Sequence, residues 1–356
     1  MNSKDVENDT IFLTIAGSKS YGTSTPESDT DVRGICVPSD KTYYFGYGLN
    51  VFEQKDKGWE DDRVIYDLRK FFKLTADNNP NILELLYVDE RFWLQNTDVW
   101  ESIVLHRDKF LSKKCKHTFS GYAYAQLKRI KSHRNYLLNP PKKKPERRDF
   151  NLTEKRSLSN DSIGAIQWLL ASFLEGSIEE LPFSDLTKEE LSGVNYIGLV
   201  QSNLSRELSE DSWKIIQEGS NVSDEVIYTM MQEKAYNNAL ADFTSYENWK
   251  KTRNSKRAAI EEKFGYDTKH AMHLVRLMNM GMEILKDKTL TVFRPEREEL
   301  SSIRNGVWTY DQVVGYAEEA ENTMNKLYKT SSLPNSPDRV FLDKLCQQSI
   351  ERRLNV

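Results

Sequence analysis

The feature that most constrains the fold is a small-residue turn between two apolar runs near the start of the chain. The first run covers residues 11–16, the turn begins at Gly17-Ser18, and the second run covers residues 31–37. Short apolar runs bounded by small and polar residues are typical of buried strands. The turn offers backbone N–H groups and the Ser18 hydroxyl, which are groups that bind phosphate. We therefore predict two strands joined through a phosphate-binding turn.

Two carboxylates, Asp29 and Asp31, lie at the head of the second apolar run. Strand side chains alternate between faces, so the two carboxylates point the same way and repel each other unless a cation lies between them. Carboxylates together with phosphate oxygens suit Mg²⁺. A third carboxylate is expected from the next strand, and Asp62 stands where that strand begins, with Asp61 and Asp67 as alternatives. An ordinary acidic loop is the competing interpretation.

The pattern of apolar residues predicts an α+β chain, with the sheet in the first ninety residues and helices afterwards. Further strands are predicted at 42–45 and 62–66. The predicted helices are 67–76, one that begins at Asn79-Pro80, 119–138, 161–178, 226–263 and 268–286. An acidic, Ser-rich stretch at 180–225 predicts short helices and loops, and a polar tail or helix follows residue 331.

A second candidate site lies on the predicted helix 268–286. Lys269, His273 and Arg276 share one face of this helix, and His270 precedes His273 by three residues. Such residues suit contacts to phosphates or an acceptor, with a histidine as proton acceptor. Zinc is not expected, because no third nitrogen or sulfur ligand is close in sequence. The alternative is a core helix with solvated polar residues.

Charge is unevenly distributed along the chain. The net charge is −4, which excludes binding of polyanions through overall charge. Residues 111–150, however, hold twelve Lys or Arg and two acidic residues, interleaved with Tyr122, Tyr124 and Tyr136. This mixture is typical of surfaces that bind RNA or DNA, although a charge run is also common on a solvated face. We expect the segment Lys113–Arg148 to be the candidate nucleic-acid surface.

Cysteine use and hydropathy indicate the compartment. Cys36, Cys115 and Cys346 are widely spaced, which argues against a disulfide framework and suits a reducing cytosol. No apolar run approaches the roughly 18–20 residues that span a bilayer. The first ten residues are polar and acidic, unlike a secretory signal. We therefore expect a cytoplasmic protein without a membrane partner.

The joint pattern of strand, Gly-Ser turn, Ser-Asp-x-Asp and buried strand resembles the nucleotidyltransferase superfamily that includes DNA polymerase β and the minimal nucleotidyltransferases. The resemblance implies a polymerase β-like mixed sheet in which the turn holds the phosphates of an NTP, such as ATP. It implies that Asp29, Asp31 and Asp62 are the catalytic residues and hold two Mg²⁺ ions, with Mn²⁺ as the alternative. The implied nucleotide-binding residues are Gly17, Ser18, Lys19, Tyr21 and Ser28.

Later motifs resemble an uncharacterised lineage of predicted nucleotidyltransferases from bacteria and large bacteriophages. They are Leu68-Arg69-Lys70-Phe71, Asn79-Pro80-Asn81, 83–86, 266–277 and 303–306. If the protein is phage-encoded, the compartment is the host cytoplasm. We expect substrate contacts from Arg69, Lys269, His270, His273 and Arg276, although Arg69 also suits the solvated face of a helix.

The resemblance implies three parts and one reaction class. The parts are a catalytic domain at 1–110, a mostly helical domain at 111–330 that completes the nucleotide and acceptor site, and a tail or helix at 331–356. The reaction is Mg²⁺-dependent transfer of a nucleoside monophosphate to a hydroxyl of RNA, protein or a small molecule. A catalytically silent NTP sensor or inhibitor and a nucleic-acid-binding protein remain alternatives.

Overall fold

A computed structural model describes residues 3–40, 42–45, 53–55, 62–176, 218–220, 222–253 and 255–355. The chain divides into two compact units, of which the first joins Met1–Leu138 to Ser255–Val356 and the second is Asn139–Asn254. The domain boundaries predicted at residues 110 and 330 stay predictions. Most of the acidic stretch 180–225, together with Asp61, lies outside the described residues.

The first unit contains a mixed five-stranded sheet. Its strands are β1 Thr10–Ala16, β2 Asp31–Cys36, β3 Glu53–Lys55, β4 Asp62–Asp67 and β5 Trp93–Asn96. The strand order is β3-β4-β2-β1-β5, in which β2 and β4 are parallel and the other neighbours are antiparallel. Because β2 and β4 run the same way, their first residues, Asp31 and Asp62, are register partners at one edge of the sheet.

Helices make up most of the remaining described structure. They are α1 Ser3–Asn8, α2 Gly17–Tyr21, α3 Thr42–Phe45, α4 Leu68–Ala76, α5 Pro80–Leu83, α6 Asp98–Val104, α7 Cys115–Leu138, α8 Asn160–Gly176, α9 Asp224–Thr252, α10 Ser255–Phe264, α11 Thr268–Asp287, α12 Arg297–Arg304, α13 Tyr310–Thr330 and α14 Arg339–Leu354. The predicted class, a mixed sheet followed by a largely helical region, is confirmed. Within the described part of the chain, the helices are too short or too polar to cross a membrane.

The strand predicted at 42–45 is wrong, because Thr42–Phe45 forms a single helical turn. Its aromatic residues favour a strand by propensity. Tyr43 and Tyr44 instead pack against the Arg69 guanidinium, whose carbon lies 4.7 and 5.0 Å from the two ring centroids. This contact with α4 outweighs the local preference.

Helices α4, α5 and α11 each begin at an Asp or Asn whose side chain accepts a hydrogen bond from a backbone N–H group. Asp67 accepts a hydrogen bond from the backbone N–H of Arg69 and so begins α4, while Asn79 begins α5 with Pro80 at its first position. Asp267 begins α11 in the same way. These positions follow from the sequence because Asp and Asn caps stand directly before apolar periodicity.

One apolar core joins the sheet to the helices of the first unit. At its centre, the ring of Phe12 on β1 stacks on Trp100 of α6 at 4.1 Å, and Phe71 of α4 packs edge-on against the same indole. Helix α11 packs against α7, α12 and α13, and the C-terminal helix α14 packs against α4 and α6. The segment after residue 331 is therefore a docked helix, which the sequence left open as a tail or a helix.

The second unit contains α8, α9 and a short turn at Arg147–Phe150. Arg147 pairs with Glu233, whose side chain is buried, and its guanidinium lies over the ring of Tyr236. Phe150 packs edge-on against the same ring. This ion pair and aromatic cluster joins the turn to α9.

Candidate active site

A cavity of about 1160 Å³ opens in the first unit at the edge of the sheet where β2 and β4 begin. The structure brings most of the predicted site residues to this cavity. Those that line it are Gly17, Ser18, Tyr21, Ser28, Asp29, Asp31, Asp62, Lys269, His270, His273 and Arg276. Lys19 and Arg69 are not part of its lining.

The carboxylates gather on one wall because of strand register. Asp31 and Asp62 are neighbours on parallel strands, and Asp29 precedes Asp31 by two residues. Burial raises the pKa of Asp31; the charges of Arg33 and Lys269 oppose this shift, and those of Asp62 and Asp29 add to it. Asp29 and Asp62 are exposed and Asp31 is half-buried. The three carboxylates form a site of negative potential that fits a divalent cation.

Gly17 lets the turn approach the carboxylates. Its backbone has a φ of +66°, in the left-handed region that favours glycine, and a Cβ built at this position would lie 2.3 Å from Oδ2 of Asp31. The Ser18 carbonyl accepts a hydrogen bond of 2.9 Å from the backbone N–H of Thr23, which closes the turn. The turn therefore lies directly against the carboxylate wall.

Two further candidates for nucleotide binding, Ser28 and Lys19, form hydrogen bonds with residues between α2 and β2. The Ser28 hydroxyl oxygen accepts a hydrogen bond of 2.8 Å from the backbone N–H of Thr25. The Lys19 ammonium donates to the hydroxyl of Thr30. Ser28 still lines the cavity, whereas Lys19 is turned to the loop that leads to Asp31.

Tyr21 and Arg276 hold α11 against the turn. The Tyr21 hydroxyl and the Arg276 guanidinium donate hydrogen bonds of 2.6 and 2.5 Å to the two carboxylate oxygens of Glu84. The guanidinium carbon lies 3.8 Å from the centroid of the Tyr21 ring, and all three side chains are buried. Burial raises the pKa of Tyr21 far above its ordinary value, so its hydroxyl remains protonated. This cluster positions the wall that carries the other α11 residues.

The remaining α11 residues line the same cavity as the carboxylates. The charge of Lys269 is close enough to lower the pKa of Asp31. Burial holds the pKa of His273 well below its ordinary value, and the nearby charges of Arg276 and Lys269 act in the same direction. His273 is therefore a neutral imidazole at neutral pH, able to donate one hydrogen bond and accept another.

Arg69 lies at the other end of β4 from Asp62. Its guanidinium pairs with Asp67 at 3.2 Å and packs on the two tyrosines of α3. Asp67 itself is buried and caps α4. The structure thus places Arg69 and Asp67 in a structural cluster away from the cavity, and of the described carboxylates it is Asp62 that stands beside Asp31.

Sequence reasoning included Tyr122 and Arg129 in the candidate nucleic-acid surface but did not assign α7 to this cavity. Thr118, Tyr122, Gln126 and Arg129 line it, and Arg304 from α12 reaches the same space while it donates a 3.0 Å hydrogen bond to the Thr23 carbonyl. The α7 residues recur at the spacing of one helix face, so their periodicity was a usable signal. Counting charge alone could not show which face of the basic segment points inward.

A family model and a phage protein match part of the chain in sequence. Residues 2–140 match the model of a family described as RlaP, RNA repair pathway DNA polymerase beta family. An uncharacterized 38.9 kDa protein in the nrdC-mobD intergenic region of Enterobacteria phage T4 is 33% identical over 126 residues, which are 33% of this chain and 37% of the phage protein. The match therefore spans little more than a third of that relative's length. No solved structure matches the chain.

The family match confirms the resemblance to a polymerase β-like nucleotidyltransferase lineage for residues 2–140. This range contains the turn and the three carboxylates Asp29, Asp31 and Asp62. The extension of the resemblance to residue 306 stays a prediction, as do the individual roles of the site residues.

Proposed function

We propose that this chain, whose residues 2–140 are polymerase β-like in sequence, transfers a nucleoside monophosphate from an NTP to a hydroxyl acceptor with a divalent cation as cofactor. The observation that carries the proposal is the parallel register of Asp31 and Asp62, with the Gly17 backbone packed against the Asp31 carboxylate. A turn with phosphate-binding groups thereby adjoins three carboxylates. That combination suits a substrate that is itself a metal-bound polyphosphate.

The donor set fits Mg²⁺, with Mn²⁺ as the alternative. Asp29, Asp31 and Asp62 offer only oxygen ligands, and their mutual repulsion is relieved by a divalent cation. When bound, the cation would stabilise the negative charge that develops on the phosphates and on the attacking oxygen during in-line transfer.

The residues of the cavity have distinct parts in this proposal. The backbone N–H groups and the hydroxyl at Gly17-Ser18 bind the phosphates of the NTP, and Lys269 adds positive charge from α11. Asp62, which is exposed, accepts the proton of the acceptor hydroxyl at a carboxylate oxygen. Neutral His273 donates a hydrogen bond to the base or to the acceptor.

We favour the end of an RNA chain as the acceptor. The description of the matched family names an RNA repair pathway. On α7, Tyr122 and Arg129 line the cavity, so a ring for stacking and a charge for phosphate stand on the wall that an acceptor would reach. The basic character of residues 111–138 supports the same choice over a small molecule.

RNA binding by this surface should depend steeply on salt. Each single-stranded phosphate neutralised by Lys or Arg contributes about −0.7 to the slope of log K against log salt, so Arg129→Ala should make the slope less negative by roughly that amount. Fluorescence anisotropy with a labelled single-stranded RNA measures it, with exposed Lys109→Ala as the control. An Arg129→Ala slope equal to that of the wild type would contradict contact between RNA and α7.

The reaction is tested with each α-³²P-labelled NTP in turn, together with Mg²⁺ and either total RNA or protein extract. We expect the wild-type protein to label RNA from at least one NTP and the Asp29→Asn/Asp31→Asn variant to label none. Label on protein would keep the reaction but overturn the RNA acceptor. Absence of transfer by the wild type, with NTP binding intact in calorimetry, would overturn the reaction and favour a sensor or inhibitor.

A further inference from the structure

A second group of metal-ligating side chains lies beside the cavity and has no part in the proposed transfer. It consists of His133 near the end of α7, Asp267 at the cap of α11, and His270 in the first turn of α11. One ligand atom from each residue lies within 4.8 Å of the other two. The two imidazole rings are 5.9 Å apart between centroids and stand nearly edge-on to each other. We call this group the His-Asp cluster.

Hydrogen bonds orient both imidazoles of the cluster. Nδ1 of His270 lies 2.7 Å from Oε1 of Gln126, and Nδ1 of His133 lies 3.3 Å from Oε1 of the buried Glu261. An oxygen acceptor at Nδ1 favours the tautomer with its proton there and its lone pair at Nε2. An oxygen behind the non-ligating nitrogen is also the arrangement that orients histidines bound to metals.

The carboxylate completes the donor set. Oδ1 of Asp267 accepts the capping hydrogen bond from the backbone N–H of His270, at 3.0 Å. Oδ2 lies 3.5 Å from Nε2 of the same histidine. Ligands about 2.0–2.2 Å from a tetrahedral ion stand roughly 3.4 Å from one another, so this pair already has the required separation. The ligand atom of His133 lies within 4.8 Å of the other two, so it needs a closure of at most about 1.4 Å.

We propose that His133, Asp267 and His270 form a binding site for one divalent transition metal ion, with zinc as the ion that fits best. Two imidazole nitrogens and one carboxylate oxygen are a zinc donor set with a fourth position left for water. The nitrogen ligands select against Mg²⁺, which prefers oxygen. The cluster and the three-carboxylate wall would thus bind different ions, and one site does not depend on the other.

No third nitrogen or sulfur ligand is close to His270 and His273 in the sequence, and the fold brings one from α7. His133 precedes Asp267 by more than one hundred residues, and the packing of α7 against α11 brings them together. A bound ion would fasten the end of α7 to the start of α11. It would also fix His270 and Gln126, both of which line the cavity, next to Lys269.

The test is a zinc titration of the chelator-treated full chain by competition with a chromophoric chelator. We expect one zinc per chain with a Kd below about 1 µM, weakened more than about 100-fold in His133→Ala and in Asp267→Asn. Asparagine caps a helix about as well as aspartate, so the second variant preserves the start of α11. The controls are His106→Ala, whose ring packs on Phe341 elsewhere in the fold, and Asp29→Asn/Asp31→Asn.

Unchanged zinc binding in His133→Ala and Asp267→Asn would overturn the proposal, as would its loss in the Asp29→Asn/Asp31→Asn control or absence of tight binding by the wild type. Co²⁺ substitution of the wild type is a second measurement that requires no variant to fold. Intense visible absorption of tetrahedral Co²⁺ that zinc displaces would support the site, and the weak absorption of octahedral Co²⁺ would contradict it. Both readouts are independent of nucleotidyl transfer.

Discussion

At the scale of single residues, the proposed site depends on how closely Gly17 approaches Asp31. A turn that carries phosphate-binding groups can adjoin a carboxylate only where the intervening residue has no Cβ. Gly17-Ser18, Asp29 and Asp31 were predictable from sequence, since the two carboxylates stand two residues apart at the head of a strand. The Glu84 bridge between Tyr21 and Arg276 was not, because its partners are far apart in the chain.

Substitution Gly17→Ala should separate the turn from the carboxylates. An alanine at φ +66° costs about 1–2 kcal/mol in backbone strain, and its Cβ displaces the Asp31 carboxylate. A displacement of about 1 Å should lower transfer activity roughly 100-fold. Activity assays and urea unfolding check both effects.

The matched control is Gly315→Ala in α13, where a Cβ meets open space. It should leave transfer unchanged and raise the free energy of unfolding by about 0.5–1 kcal/mol, because alanine favours a helix over glycine. Equal activity of Gly17→Ala and Gly315→Ala would contradict the close approach of turn and carboxylate.

His273 should make the folded state sensitive to acid. Its folded-state pKa is well below the ordinary value, so between about pH 6.5 and that lower pKa the unfolded chain binds a proton that the folded chain does not. The free energy of unfolding should therefore fall as pH drops below about 6.5, by at most about 1.4 kcal/mol per pH unit from this residue. Urea unfolding at several pH values measures the slope.

In His273→Gln, this one-proton contribution should disappear while the remaining acid sensitivity persists. The difference between the wild-type and variant slopes isolates the residue. Identical slopes below pH 6.5 would mean that His273 takes up its proton as readily in the folded protein as in the unfolded chain.

At the scale of elements, local signals predicted most of the secondary structure. Helices α4 and α11 were predictable because Asp67 and Asp267 cap regular apolar stripes. Strands β1, β2 and β4 were predictable because small or acidic residues bound their apolar runs. The turn of helix at Thr42–Phe45 was not, since a contact with α4 determines it. The periodicity of α7 groups the residues of its inward face, but the position of its histidine His133 beside α11 depends on helix packing that no local pattern encodes.

The contact between α11 and the turn through Tyr21, Glu84 and Arg276 should contribute strongly to the free energy of unfolding. Replacement of Arg276 by Met leaves the Glu84 carboxylate buried without its cation, which should lower the free energy of unfolding by about 3–5 kcal/mol. The double variant Glu84→Gln/Arg276→Met should recover part of this loss, because no unpaired charge remains. Urea unfolding followed by circular dichroism provides the measurement.

Arg91→Met is the comparison, because the side chains of Arg91 and Asp89, which form an ion pair, are each about half exposed. Its loss should cost less than about 1 kcal/mol. A cost for Arg276→Met as small as that for Arg91→Met would show that the buried pair does not hold α11 in place.

At the scale of the whole molecule, distant parts of the chain build one site. The carboxylates and the turn come from the first seventy residues, one wall comes from α7, and another comes from α11 and α12, which follow the second unit in the sequence. The family match ends at residue 140 and so does not cover the residues of α11 and α12. The sequence predicted the two halves of the site separately, and packing joins them.

The most direct measurement of the central claim is transfer of labelled NMP by Asp31→Asn and Asp62→Asn, each beside the exposed control Asp108→Asn, at matched Mg²⁺ and NTP. If the parallel register makes Asp31 and Asp62 one metal-binding pair, each variant should lose at least about 1000-fold in transfer while the control keeps wild-type activity. Wild-type transfer by Asp62→Asn would contradict the claim that the strand pair forms the catalytic site.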